Sequence, residues 1–290
     1  MNNMHSEIID QLLVYQKNEI TEHNIYKRLA KKIKSPENSK ILLKIARDEI
    51  RHYSEWKSYT HRDVKPSRIK IAFYYWTSRI FGFTFGVKLL ERGEEKAQQE
   101  YDRLLKTIPE MESILNDENE HEDALLAMLD EERLRYTGSI VLGLNDALVE
   151  LTGALAGLTL ALQNTRLIAL TGLITGIAAS LSMGASEYLS IKSEGGKNPF
   201  TASTYTGIAY IFTVALLVLP FLIMDNYYLC IGLTLVAAVF IIAFFNYYLA
   251  VVQGTNFKKR FLEMAGLSFG VAGLSFGIGL LVRIFLNVDI

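Results

Sequence analysis

Apolar residues run almost unbroken through five stretches, at about 138–161, 166–190, 204–223, 228–250 and 262–286. Each reaches the ~20 helical residues that a hydrocarbon core requires. The interruptions QNTR, SIKSEGGKNPF, DNYY and QGTNFKKR carry the polar and turn-forming residues expected between spans. Before Gly138 the pattern changes. Apolar positions there recur three, four and seven apart, which places them on single helix faces. One stripe joins Leu12, Tyr15, Glu19, Tyr26 and Ile33, and a second Ile45, Glu49, His52, Trp56 and Tyr59. A third joins Val87, Leu90, Glu94, Ala97, Tyr101 and Leu104, and a fourth Glu118, His121, Leu125 and Met128. Ser35-Pro36 reads as an N-cap and first helical residue between the first two. The prediction is an all-α chain, with a four-helix bundle over 1–136 and a five-helix transmembrane domain over 137–290.

Charge divides the chain at the same place. Residues 140–290 hold 7 Lys+Arg and 7 Asp+Glu, which leaves 23 of 30 and 24 of 31 for residues 1–139. The balanced total, a net charge of -1, gives no reason to expect nucleic acid as a partner. The single cysteine, Cys230, excludes an intrachain disulfide or a cysteine-based metal cluster. The N-terminal MNNMHSEIID has neither basic nor apolar signal-peptide regions, so no cleaved signal is expected. Arg133, Arg135, Lys192, Lys197, Lys258, Lys259 and Arg260 fall on one side of the spans, with Arg166 and Arg283 near the other. The positive-inside rule then puts the N-terminal domain in the cytoplasm of a multi-pass cell-membrane protein.

Each soluble stripe contains a charged residue where an apolar one would continue the core. Glu49 and His52 form one E-x-x-H, and Glu118 and His121 a second. Each follows a helix with a glutamate seven residues before a tyrosine: Glu19 before Tyr26, and Glu94 before Tyr101. The order Glu, E-x-x-H, Glu, E-x-x-H is a weak internal duplication. It supplies the ligand set of ferritin-like di-iron bundles. Glu22, Glu95 and Glu122 stand near enough to add ligands, and His23 reads as a solvated or capping residue.

The spans carry acids as well. Asp146 and Glu150 share a face of the first span, and Met183 and Glu187 a face of the second. A carboxylate in the bilayer costs about 2.5 kcal/mol or more and usually marks a pathway or a buried partner. Carboxylates with a thioether suit a transition metal better than Mg²⁺ or Ca²⁺. Gly172, Gly176, Ser180 and Gly184 form a small-residue stripe, and Gly153, Gly157, Gly266 and Gly270 extend the theme. Small residues of this kind let helix backbones approach closely.

One segment, KIAFYYWTSRIFGFTFGVKLL over 70–90, fits neither half cleanly. Lys70, Arg79 and Lys88 interrupt it, so it reads as the start of a long helix leading into the Glu94 face. Its aromatic side is expected to meet the membrane surface or a second subunit. A sixth span would split the ligand helices across the membrane.

By their Glu and E-x-x-H pattern, residues 6–135 resemble the rubrerythrin-like branch of the ferritin-like superfamily. Residues 137–290, through VLGLNDALVELTGALAGL and AASLSMGASEYLSIKSE, resemble the vacuolar iron transporter family. Together they resemble membrane-bound ferritins. The resemblance implies a homodimeric five-helix transporter of Fe²⁺ or Mn²⁺ coupled to protons, with Asp146 and Met183 as intramembrane metal residues and Glu150 and Glu187 as helpers. It also implies a di-iron centre in the bundle. Two departures stand out: Ala147 follows Asp146 where the family has glycine, and the short connection after the second span lacks the helical metal-binding insertion of plant members. The N-terminal bundle would take that insertion's place. The expected activity is export of iron from the cytoplasm, with the bundle capturing, sensing or oxidising Fe²⁺. A membrane-anchored di-iron oxidase or peroxidase without transport is the rival, and nothing points to a storage cage.

Overall fold

The computed structural model describes residues 2–33, 35–92, 111–128 and 136–286, and every regular element among them is helical. The chain divides into two compact units, Met1–Glu131 and Glu132–Ile290.

In the first unit α1 spans Asn2–Ala30, α2 Pro36–Thr60, α3 Arg68–Phe81 and α4 Met111–Ala127. The Ser35 side chain accepts from Asn38 N and Pro36 opens α2, as the sequence predicts. Ser67 caps α3 in the same way, accepting from Lys70 N. The loop between α2 and α3 is tied to α1. Gln16 Nε2 donates to Arg62 O at 2.8 Å, and Thr60 Oγ1 donates to Gln16 Oε1 at 2.7 Å. Two apolar clusters fill the unit. Leu12, Tyr15, Trp56, Met111 and Ile114 form one, and Ile25, Tyr26, Leu42, Ile45, Val87 and Leu125 belong to the other. On α1, α2 and α4 alike, the charged residues of the stripe fall in sequence between these clusters. Their carboxylates and imidazoles are therefore held inside the bundle.

The 70–90 segment is not one helix. α3 ends at Gly82, with φ at +101°, and residues 83–92 form a further helical stretch. That backbone angle is one that side-chain-bearing residues rarely adopt, so the glycine sets the break. Gly86 then lies against Ser78, where a Cβ would collide with that side chain. The long uninterrupted helix expected here is thus corrected to two pieces.

The second unit holds α5 (Thr137–Leu162), α6 (Thr165–Ser193), α7 (Pro199–Ile223), α8 (Tyr227–Gln253) and α9 (Phe257–Leu286). All five are long and apolar enough to cross a membrane. Asn164 and Asn226 cap α6 and α8 by accepting from Leu167 N and Leu229 N, both at 3.1 Å. α5 touches the other four helices and is the hub of the unit. Short hydroxyl side chains join the helices: Ser268 Oγ donates to Leu148 O at 2.9 Å, Thr206 Oγ1 to Ser139 O at 3.0 Å, and Ser180 Oγ to Gly207 O at 3.0 Å. Gly157 lies so close to α9 that a Cβ would stand 2.9 Å from the Ser275 carbonyl oxygen. Gly153, Gly172 and Gly176 also face neighbours, as the stripe predicts. Gly266 and Gly270 do not. Nothing lies within 4 Å of a Cβ placed on either, so tight packing within the described chain does not explain them.

Candidate metal centre

Four side chains converge inside the bundle. Glu19 from α1, Glu49 and His52 from α2, and Glu118 from α4 each bring a ligand atom within 4.8 Å of the others. His121 stands beside them, with ring centroids 6.0 Å from His52 to His121.

The two glutamates of the E-x-x-H motifs lie between the two imidazoles. Glu118 Oε1 is 3.3 Å from His52 Nδ1, and Glu118 Oε2 is 3.7 Å from His121 Nδ1. Glu49 repeats the pattern, with Oε2 3.9 Å from His52 Nδ1 and Oε1 3.4 Å from His121 Nδ1. Each carboxylate thus turns one oxygen toward each histidine. Glu19 Oε2 lies 3.6 Å from His52 Nδ1, so it serves the His52 side alone. By the internal duplication, the matching residue on the His121 side is Glu94, which lies outside the described residues, as do Glu95 and Tyr101.

The hydrogen bonding leaves the inward atoms unused. Glu19 Oε2, Glu49 Oε2, His52 Nδ1 and His121 Nδ1 are buried and have no hydrogen-bond partner. Buried polar atoms are nearly always paired, so four orphans facing one centre call for a ligand. The outward atoms are all held. Trp56 Nε1 donates to Glu19 Oε1 at 3.0 Å, in a fully buried contact. His52 Nε2 faces Asp117 Oδ2 at 3.1 Å, and His121 Nε2 faces Asp48 Oδ2 at 3.3 Å. Each aspartate immediately precedes one E-x-x-H and braces the histidine of the other. Arg51 joins the two braces, with Nη2 2.5 Å from Asp117 Oδ2 and Nη1 3.4 Å from Asp48 Oδ1. A carboxylate on Nε2 fixes the proton there and presents the Nδ1 lone pair inward, the arrangement found behind metal-bound histidines. Carboxylate and imidazole donors of this kind fit a divalent transition-metal ion, iron among them.

Without a cation the cluster is electrostatically frustrated. Burial, and then the neighbouring Glu118 and Glu19, push the Glu49 carboxyl well above the usual carboxylate range. Half-buried Glu22 is raised likewise, by desolvation and then by Glu19 and Glu118, so it belongs electrostatically to the cluster. Burial opposes a charge on His52, yet its contacts with Glu118 and Glu19 outweigh that and push it up to about 11. Desolvation would raise Glu118, but His121 and His52 bring it down to about 2. Glu122 is exposed and takes no part. His23 is half-buried and caps no helix end: its Nδ1 lies 2.5 Å from Ala46 O and fastens α1 to α2.

The acids of the membrane unit are arranged differently. Asp146 and Glu150 lie one turn apart on α5, with Asp146 half-buried and Glu150 exposed near the helix centre. Tyr210 Oη, on α7, donates to Glu150 Oε2 at 2.8 Å. Ser139 Oγ donates to Glu187 Oε1 at 2.6 Å, which joins α5 to α6 two turns from Asp146. Met183 packs at the edge of the apolar core of the unit. Among the described residues no hydrogen bond or ion pair joins Asp146 or Glu150 to Glu187.

Sequence reasoning missed Asp48, Asp117, Arg51 and Tyr210. The aspartates had a signal: each E-x-x-H is in fact D-E-x-x-H. Tyr210 had none, because a lone tyrosine in an apolar helix reads as packing.

Two family models match this chain, one in each unit. The model described as Rubrerythrin matches residues 12–129, which takes in both E-x-x-H motifs and Glu19. The model described as VIT family matches residues 137–196, which takes in Asp146, Glu150, Met183 and Glu187. The chain thus joins a rubrerythrin ferritin-like region to a VIT-family region, the fusion expected from the sequence. No curated protein and no solved structure matches it.

Proposed function

We propose that this protein moves divalent iron, and by the same ligand chemistry manganese, out of the cytoplasm across the cell membrane. The bundle captures the ion as a two-metal site. Glu49 and Glu118 would be shared between two ions, with Glu19 and His52 holding one and His121 the other, and the duplication in the sequence assigns Glu94 to the second. The observation that carries this reading is the set of four orphaned buried atoms on Glu19, Glu49, His52 and His121. Iron bound there brings one-electron redox chemistry, and with it the option of oxidation. The residues themselves orient the ions, exclude water and release protons when they are loaded.

In the membrane unit Asp146, Glu150, Met183 and Glu187 form the pathway, with Asp146 and Glu150 exchanging metal for protons. Tyr210 holds the Glu150 carboxylate and Ser139 that of Glu187. Glu150 sits mid-helix and exposed, where hydrocarbon would penalise it. A second copy that covers this face completes the path, so the working unit is a homodimer. Lys192 and Lys197 around the end of α6, and Lys258, Lys259 and Arg260 in the first turn of α9, support a cytoplasmic N-terminal unit.

The rival, an anchored oxidase or peroxidase, has no use for acids on α5 and α6. Proteoliposomes holding the full chain and an internal metal-sensitive dye separate the two. Saturable Fe²⁺ entry supports transport, and a dye signal no greater than in empty vesicles defeats it.

A further inference from the structure

The outer face of α3 belongs neither to the metal centre nor to the pathway. Ile69, Phe73, Trp76 and Ile80 are 84%, 54%, 60% and 60% exposed. They fall at intervals of four, three and four, so they form one apolar line about 16 Å long. Exposed clusters of this kind mark interaction surfaces. The opposite side of α3 is fastened to the bundle through buried Ile71, Thr77 and Ser78. Ser67 N also donates to Thr21 Oγ1 on α1 at 3.0 Å.

The charges around this line are of one sign. From residue 64 to residue 90 there is no Asp or Glu, while Lys65, Arg68, Lys70, Arg79 and Lys88 give the segment five positive charges in a chain of net charge -1. Arg68 borders the shallow groove that runs along Ile69, Phe73, Trp76 and Ile80. Aromatic and aliphatic residues flanked by cations on one helix face are the composition of helices that lie in the plane of a membrane interface. A second copy seated on the same face would set these cations against themselves, because a two-fold contact pairs each patch with its own image.

We propose that α3 is an interfacial anchor. Phe73 and Trp76 enter the headgroup boundary of an anionic bilayer, and Arg68 and Arg79 meet lipid phosphates. In sequence, α4 ends at Ala127 and the first membrane-spanning helix begins at Thr137, so the unit that carries α3 is covalently tied to a membrane protein.

The two tryptophans make the test direct. Trp56 is fully buried in the bundle and Trp76 is 60% exposed. The full chain is placed in nanodiscs of acyl-brominated phosphatidylcholine, with or without brominated phosphatidylglycerol. Emission from Trp76 should be quenched in the anionic discs, and Trp76→Phe should abolish that quenching while the bundle's metal content stays constant. Arg68→Glu and Arg79→Glu should each lower the ratio of docked to undocked α3 by roughly fivefold or more, about the worth of one basic residue at an anionic surface. Equal, weak quenching in both lipids overturns the anchor. Shielding of Trp76 from aqueous iodide only in discs holding two chains also overturns it, and assigns the face to a second copy.

Discussion

Glu118 turns one oxygen toward His52 and the other toward His121, so a cation on either side needs it. Glu118→Ala should lower bound iron from about two atoms per chain to one or none. Glu37→Ala, exposed in the first turn of α2, should leave the content unchanged. Elemental analysis of the purified proteins decides it, and full iron in Glu118→Ala contradicts the bridging assignment. The same residues make loading depend on pH. His52 is raised to about 11, so near neutral pH it holds a proton that a cation must displace, and burial beside Glu118 and Glu19 shifts Glu49 in the same direction. Loading should release a proton from His52, and affinity should fall roughly tenfold per pH unit for that proton as the solution is acidified. Titration calorimetry in buffers of different ionisation enthalpy measures this, and no buffer dependence contradicts it. Stability of the metal-free bundle follows the same shifts. The raised His52 contributes fully below the ordinary histidine value of 6.5 and loses that contribution as pH rises toward 11. The lowered Glu118 contributes above 4.5 and loses it as pH falls toward about 2. The first ligands were legible because a charged residue interrupts an apolar stripe at helical spacing. Asp48 and Asp117 were not, because an acid beside an acid looks like a solvated face until the histidine of the other motif is brought opposite.

Among the elements, the α5–α9 contact rests on the absence of a side chain at Gly157. Leucine there would drive its Cβ against the Ser275 carbonyl and part the helices. Gly157→Leu should destabilise the membrane unit by about 1–3 kcal/mol, the usual cost of overpacking. Gly266→Ala, which meets open space on α9, should cost far less. Thermal unfolding in detergent compares them, and equal midpoints would remove the close approach from the account. Sequence treated both glycines alike, because a stripe of small residues records that something approaches without saying what. The elements themselves were largely readable. Five apolar runs became five helices, extended by several residues at Pro199 and Phe257, where polar first turns hide the start. The break at Gly82 escaped notice because the aromatic run continues across it, and only the backbone angle reveals the turn.

At the scale of the molecule, the proposed function rests on two arrangements: a buried carboxylate–histidine cluster in one unit and a line of membrane acids in the other. The division was legible from charge and hydropathy, since 24 of 31 acidic residues precede residue 140. Whether the line of acids closes into a pathway was not legible, because that depends on what covers Glu150. Asp146 is the residue at which the account is most exposed. It shares a helix face with Glu150 and takes no part in the bundle. The decisive measurement is therefore made on Asp146→Asn, with two readouts on one preparation: Fe²⁺ flux into proteoliposomes under a pH gradient, and iron retained by the bundle. The account predicts that flux is abolished while the bundle keeps about two iron atoms. Wild-type flux in Asp146→Asn vesicles would contradict it.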